Sequence, residues 1–103
     1  MNQVYQGETL FVKITNKNST DGLPIDMTGT TAEGRIDLPD GVAVYPATID
    51  IPNGIVTLTV DRTLTKPWRV GKYDFQIWLD WGEGAEQEAE VLWGTELKVL
   101  RGL

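Results

Sequence analysis

A chain of 103 residues has room for one domain, and 9 basic against 15 acidic residues give a net charge of −6 that opposes binding to nucleic-acid phosphates or anionic lipid. With no cysteine and no histidine, disulfides, thiolate zinc sites and thiol or imidazole chemistry are excluded. No basic segment followed by an apolar run opens the chain, and no stretch is apolar for long enough to cross a bilayer, so neither a secretion signal nor a membrane span is expected.

Taken in order, Thr9 to Thr15 alternates Leu10, Val12 and Ile14 with Phe11, Lys13 and Thr15, the period of two that marks a half-buried strand. Asn16 to Gly22 consists of turn formers. Leu23 to Gly29 continues as an irregular, partly apolar connection in which Pro24 excludes a central strand. Thr31 to Asp37 extends again with Ala32, Gly34 and Ile36 on one side, small residues that point to close approach of another layer. After the Pro39-Asp40-Gly41 turn, Val42 to Ile51 reads as a strand that Pro46 places at an edge or a bulge.

Asn53-Gly54 predicts a tight hairpin turn, because both residues tolerate positive φ. The strand that follows, Ile55 to Asp61, turns Val56, Leu58 and Val60 to one face. Asp61 to Trp68 is the only segment suited to a turn of helix, and Pro67 stops it. Lys72 to Trp81 is the clearest strand, with Tyr73, Phe75, Ile77 and Leu79 on the face to be covered and Lys72, Asp74, Gln76 and Asp80 on the wet one. Gly82 to Glu86 closes it. From Gln87 to Leu100 a last strand sets Ala89, Val91, Trp93, Leu97 and Val99 on the core parity, with Gly94 a candidate bulge. Short strands punctuated by turns, without an amphipathic helix, predict an all-β fold, an antiparallel immunoglobulin-like β-sandwich of about seven strands. It spans residues 1–103 as one domain, with the two last strands as a central hairpin.

Catalytic chemistry has few candidates. Asp37/Asp40 and Glu86/Glu88/Glu90 are the available carboxylate groupings; the first lies in a turn and the second on a wet strand face, where exposed charge guards against edge-to-edge pairing. Asp21, Asp26, Asp37 and Asp40 lack the spacing of an EF-hand loop, and no phosphate-binding glycine loop occurs. No cofactor, no metal and no enzymatic activity are expected. The four tryptophans divide. Trp93 shares the core parity and Trp68 is placed to plug one end, whereas Trp78 sits on the wet face. Trp78 either packs across strands against Leu92 or offers a contact to another protein or a stacking platform for a sugar. Trp78, Trp81, Leu92, Gly82 and Glu83 are therefore the candidate partner-binding residues.

The chain also carries a recurrent layout. QGETLFVKI is followed by Asp21-Gly22, then Pro24-Ile25-Asp26-Met27-Thr28-Gly29, Asn53-Gly54-Ile55-Val56-Thr57-Leu58, Gly71-Lys72-Tyr73-Asp74-Phe75 and Leu92-x-Gly94. This resembles the small β-sandwich domains of tailed-bacteriophage virion proteins, among them the N-terminal domain of upper baseplate proteins and related tail or head fibre and adaptor proteins. Glu8 and Met27 depart from the aspartate and leucine of that pattern, and QIWLDWG replaces a more polar strand end. The resemblance implies a standalone structural protein of a virion, assembled in the host cytoplasm and acting through contacts with copies of itself and other virion proteins. Nucleic acid and membrane are not expected partners. The alternative is a carbohydrate-binding module that stacks sugars on Trp78 or Trp81.

Overall fold

The computed structural model describes residues 2–82, 84 and 88–103. Among these residues seven strands alternate with turns: β1 (Asn2–Tyr5), β2 (Leu10–Thr15), β3 (Thr31–Leu38), β4 (Gly41–Asp50), β5 (Ile55–Val60), β6 (Gly71–Asp80) and β7 (Ala89–Leu100). A short helix, α1 (Arg62–Thr65), joins β5 to β6. The strands lie in the order β1-β7-β6-β3-β4-β5-β2, a mixed sheet curled into a nearly closed barrel.

The all-β class is as expected, but uniform antiparallel pairing is not. β1 runs parallel to β7, from Asn2 beside Leu97 to Tyr5 beside Leu100, whereas β2 pairs antiparallel with β5. The N-terminal chain thus serves both ends of the strand order. Val4 is the single buried residue of β1, so its four residues show no repeated alternation from which the strand could be read. β4 carries the sheet around the core, pairing with β3 as far as Ala47 and with β5 from Thr48. Pro46 pairs only toward β3, before β5 joins, so β4 is locally an edge where proline requires one.

Phe75, Ile77 and Leu79 on β6 are buried, and so are Val56, Leu58 and Val60 on β5 and Leu10 and Val12 on β2. Val4, Ala32, Ile36, Leu97 and Val99 from the neighbouring strands, Met27 from the β2–β3 connection and Trp68 from the β5–β6 connection belong to the same core, with Ile14 and Tyr73 half-buried at its margin. Gly34 is needed where β3 approaches β5: a β-carbon there would stand 2.5 Å from Leu58 Cδ2. Tyr73 donates its hydroxyl to the Arg69 carbonyl at 2.7 Å, and a β-carbon on Gly71 would lie 3.0 Å from that hydroxyl oxygen.

The turns follow their side-chain chemistry, with one correction. Asn53 does not take positive φ. The Gly54 N–H returns to the Ile51 carbonyl at 3.2 Å, and only Gly54, at φ 64°, is left-handed. Pro52 occupies the second position of this turn, where its fixed φ is favourable, and the loop becomes a four-residue one. Asp61 caps α1, its Oδ1 accepting from the Thr63 N–H and hydroxyl at 2.8 Å each. Thr65 is buried and donates to the Glu8 carbonyl, while Gln6 Nε2 donates to the Trp68 carbonyl. These bonds tie the β1–β2 turn to the β5–β6 connection, where Trp68 packs against Tyr45.

Two outcomes are expected. Gly34→Ala overpacks the contact with Leu58 and costs about 1–3 kcal/mol in urea unfolding; an unchanged midpoint would show that the two strands can separate freely. The hydroxyl and N–H of Thr28 hold the Asp26 carboxyl below the usual range, and the N–H and hydroxyl of Thr63 do the same for Asp61. Folding therefore releases protons as the pH falls past about 4, so the stability these two groups contribute is present above that pH and lost as it drops through their lower folded values. Thermal melts should fall over that acid range, and less steeply in Asp26→Asn/Asp61→Asn.

Candidate functional site

The outward face of β7, β6, β3 and β4 follows row by row from the pairing. Pro46, Glu33, Trp78 and Val91 form one row, and Val44, Arg35, Gln76 and Gly94 the next. Asp74 then stands opposite Glu96, with Val42 opposite Asp37 on the adjoining strands; Lys72 stands opposite Lys98, which is beside Gln3 of β1. Because the inward residues of β6 are buried, none of these assignments can slip without exposing Phe75, Ile77 and Leu79.

Trp78 is half-buried in the first row. The Arg35 guanidinium carbon lies 4.1 Å from its ring centroid, and Arg35 Nε also bonds Glu33 Oε2 at 2.7 Å. The indole Nε1 donates to Gln76 Oε1 at 2.9 Å. A tryptophan on the wet face is thus held by a cation against its ring, an interaction worth about 0.5–1 kcal/mol at an exposed site, and by two cross-strand neighbours.

The neighbour expected from the sequence was Leu92, and the structure replaces it with Val91. The register shifts between Ile77, opposite Trp93, and Trp78, opposite Val91, so Leu92 is the extra residue of a bulge. The bulge falls here and not at Gly94, which pairs regularly with Gln76. Beyond it the parity of β7 inverts: Val91 turns outward at 43% exposure and Glu90 lies opposite the buried Leu79. Glu90 is consequently not a wet-face charge; its Oε1 accepts from Trp81 Nε1 at 2.9 Å. Leu92, Trp81 and Trp93 pack against the core, Trp93 edge-on to Phe75 with centroids 5.4 Å apart.

The five candidate residues therefore do not form one patch. Trp78 belongs to the outward face, while Leu92 and Trp81 lean on the core at one end of the barrel. Gly82, at φ 92°, donates its N–H to Asp80 Oδ1, and Glu83 lies outside the described residues. What the face adds is Arg35, Asp37, Val42, Asp74 and Gln76, which line a shallow cleft of about 320 Å³ next to Trp78. Val42 and Val44 are exposed along its flank. Parity already put Arg35 and Trp78 on wet faces of their own strands; only pairing between those strands brings them together. Among the described residues no acidic cluster is arranged to hold a metal ion, and no helix is long and apolar enough to cross a membrane.

Compared with known proteins, the chain matches no family model and no curated protein sequence.

The two placements of tryptophan predict different costs. Trp68→Ala should lose about 3–5 kcal/mol in denaturant unfolding, as for a large aromatic removed from a core. Trp78→Ala should lose only about 1 kcal/mol, the scale of its exposed contacts. Equal losses would mean that Trp78 is part of the core.

Proposed function

We propose that this chain is a non-enzymatic structural protein of a tailed-phage virion, a tail, baseplate, fibre-anchoring or capsid-decorating component that works through protein–protein contacts in an oligomeric assembly. The observation that carries this reading is the resemblance of the ordered motifs from Gln6-Gly7-Glu8 to Leu92-x-Gly94 to such domains, together with the positions those motifs occupy. Gly54 sits where positive φ and close approach of the Asn16 carbonyl demand glycine, and Val56, Leu58 and Phe75 are buried. The exposed Val91 beside a tryptophan gripped by arginine, with Val42 and Val44 exposed further along the same face on β4, adds a surface suited to burial against another protein.

The immunoglobulin-like arrangement belongs to the same proposal. Supporting it are the pairings of β2 with β5, β3 with β6 and β6 with β7, the crossing of the N-terminal chain from β7 to the β5 side, and the Tyr73 hydroxyl returning to the Arg69 carbonyl. The last has the form of a tyrosine corner at the start of the sixth strand. A single contiguous core supports one domain over residues 1–103. Sugar stacking is the weaker reading, since Arg35 lies over the Trp78 ring and Trp81 is packed on the core with its Nε1 engaged.

Particles purified by density gradient from cells carrying the gene should contain the chain in fixed stoichiometry, detected by immunoblot and located by immunogold labelling. Its presence in the lysate but not in gradient-purified particles would overturn the assignment.

A further inference from the structure

The outward face carries two adjacent strips of opposite sign. Asp74 and Glu96 stand directly opposite one another across β6 and β7, and one row along, Lys72 and Lys98 do the same. Like charges at directly opposed positions, with β-carbons about 5 Å apart, work against sheet pairing. The one ion pair among the described residues, Arg35 with Glu33, lies elsewhere on the face and does not relieve them. The acidic strip borders the cleft formed by Arg35, Asp37, Val42, Asp74 and Gln76, so two carboxylates line a recess wide enough for a side chain.

We propose that this face is a docking surface for a second copy of the chain, related by a two-fold axis that lies between the two faces and runs across the strands, between the acidic and lysine strips. This deepens the proposed function and rests on its claim of self-contact. The charge pattern selects the axis. A two-fold along the strands would set each strip against its own kind, acid on acid and lysine on lysine. The axis across the strands puts each strip against the opposite one, so Asp74 meets Lys72 of the second copy and Glu96 meets Lys98 of the second copy. The interface is then isologous, every contact made twice. Lys72 of the second copy comes down at the cleft, where Asp37 flanks Asp74. In the same arrangement Gln76 faces the start of β6 in the second copy, next to the exposed Val70. A chain of net charge −6 repels its copies in most orientations, and the matched strips single out this one. Trp78 stays outside the contact, free for a different protein.

Sedimentation equilibrium across the micromolar range tests it. At about 50 mM salt the chain should dimerise, and at about 500 mM the dissociation constant should rise at least tenfold as the paired strips are screened. Lys72→Glu/Lys98→Glu makes both strips acidic and Asp74→Lys/Glu96→Lys makes both basic. Each alone should weaken the dimer at least about a hundredfold, and an equimolar mixture should restore a dimer of one copy of each. All four positions point outward, so melting temperatures should change little. If either reversal fails to fold, Lys72→Gln/Lys98→Gln replaces it and should weaken the dimer more modestly. A wild-type monomer at low salt, or a dimer indifferent to both reversals, overturns the proposal. Neither result removes the chain from purified particles, which is the separate measure of a virion role.

Discussion

Burial of one face of β6 is the constraint on which the other features depend. Phe75, Ile77 and Leu79 have no solvent exposure to speak of, and β6 is paired along most of its length with β3 on one side and β7 on the other. A one-residue slip would exchange these side chains with Gln76, Trp78 and Asp80, so the register is held by the full transfer free energy of a hydrophobic face. The outward residues then have no freedom in their choice of neighbours. Trp78 beside Glu33, Arg35 beside Gln76, and Asp74 beside Glu96 are consequences of what the core needs on the other side.

That dependence explains how charge repulsion between neighbours is tolerated. Lysine against lysine and carboxylate against carboxylate cost little beside the burial of three large apolar side chains, because exposed charges at this spacing are solvated and screened. The surface can therefore carry a pattern that does nothing for the monomer. A pattern of this kind is free to encode recognition, and the alternation of sign along the strand distinguishes one docking orientation from another.

The bulge at Leu92 is the second decisive feature. One extra residue on β7 turns Val91 outward to flank Trp78 and brings Glu90 within reach of the Trp81 indole. It separates the residues that an unbroken alternation would group together. Trp81 and Leu92 become supports for the end of the barrel, and the exposed apolar residues next to the cleft lie instead on β4, at Val42 and Val44.

Much of the fold was legible from local pattern. The period of two in Leu10–Ile14, Val56–Val60 and Tyr73–Leu79 identifies strands and their buried faces, and Ala32 and Gly34 signal the close approach that Leu58 makes. Asp61 and Pro67 delimit the one helical turn among the described residues, since capping and ring closure are properties of single residues. The rest was not local. β1 is defined by its parallel partner β7 and by one buried valine, and the turn at Pro52-Asn53-Gly54 takes its form from a proline whose weight beside Asn-Gly the sequence does not set. Nothing in Val91-Leu92-Trp93 marks the bulge. The sequence by itself determined which faces of β2, β5 and β6 must be buried, the excess of acid over base and the lack of thiol and imidazole chemistry, all of which depend on residue identity and spacing along one strand. Only the tertiary structure decided that Arg35 lies over Trp78 and that acidic and basic strips run side by side, because pairing between strands distant in the chain is set by the packing of the whole core.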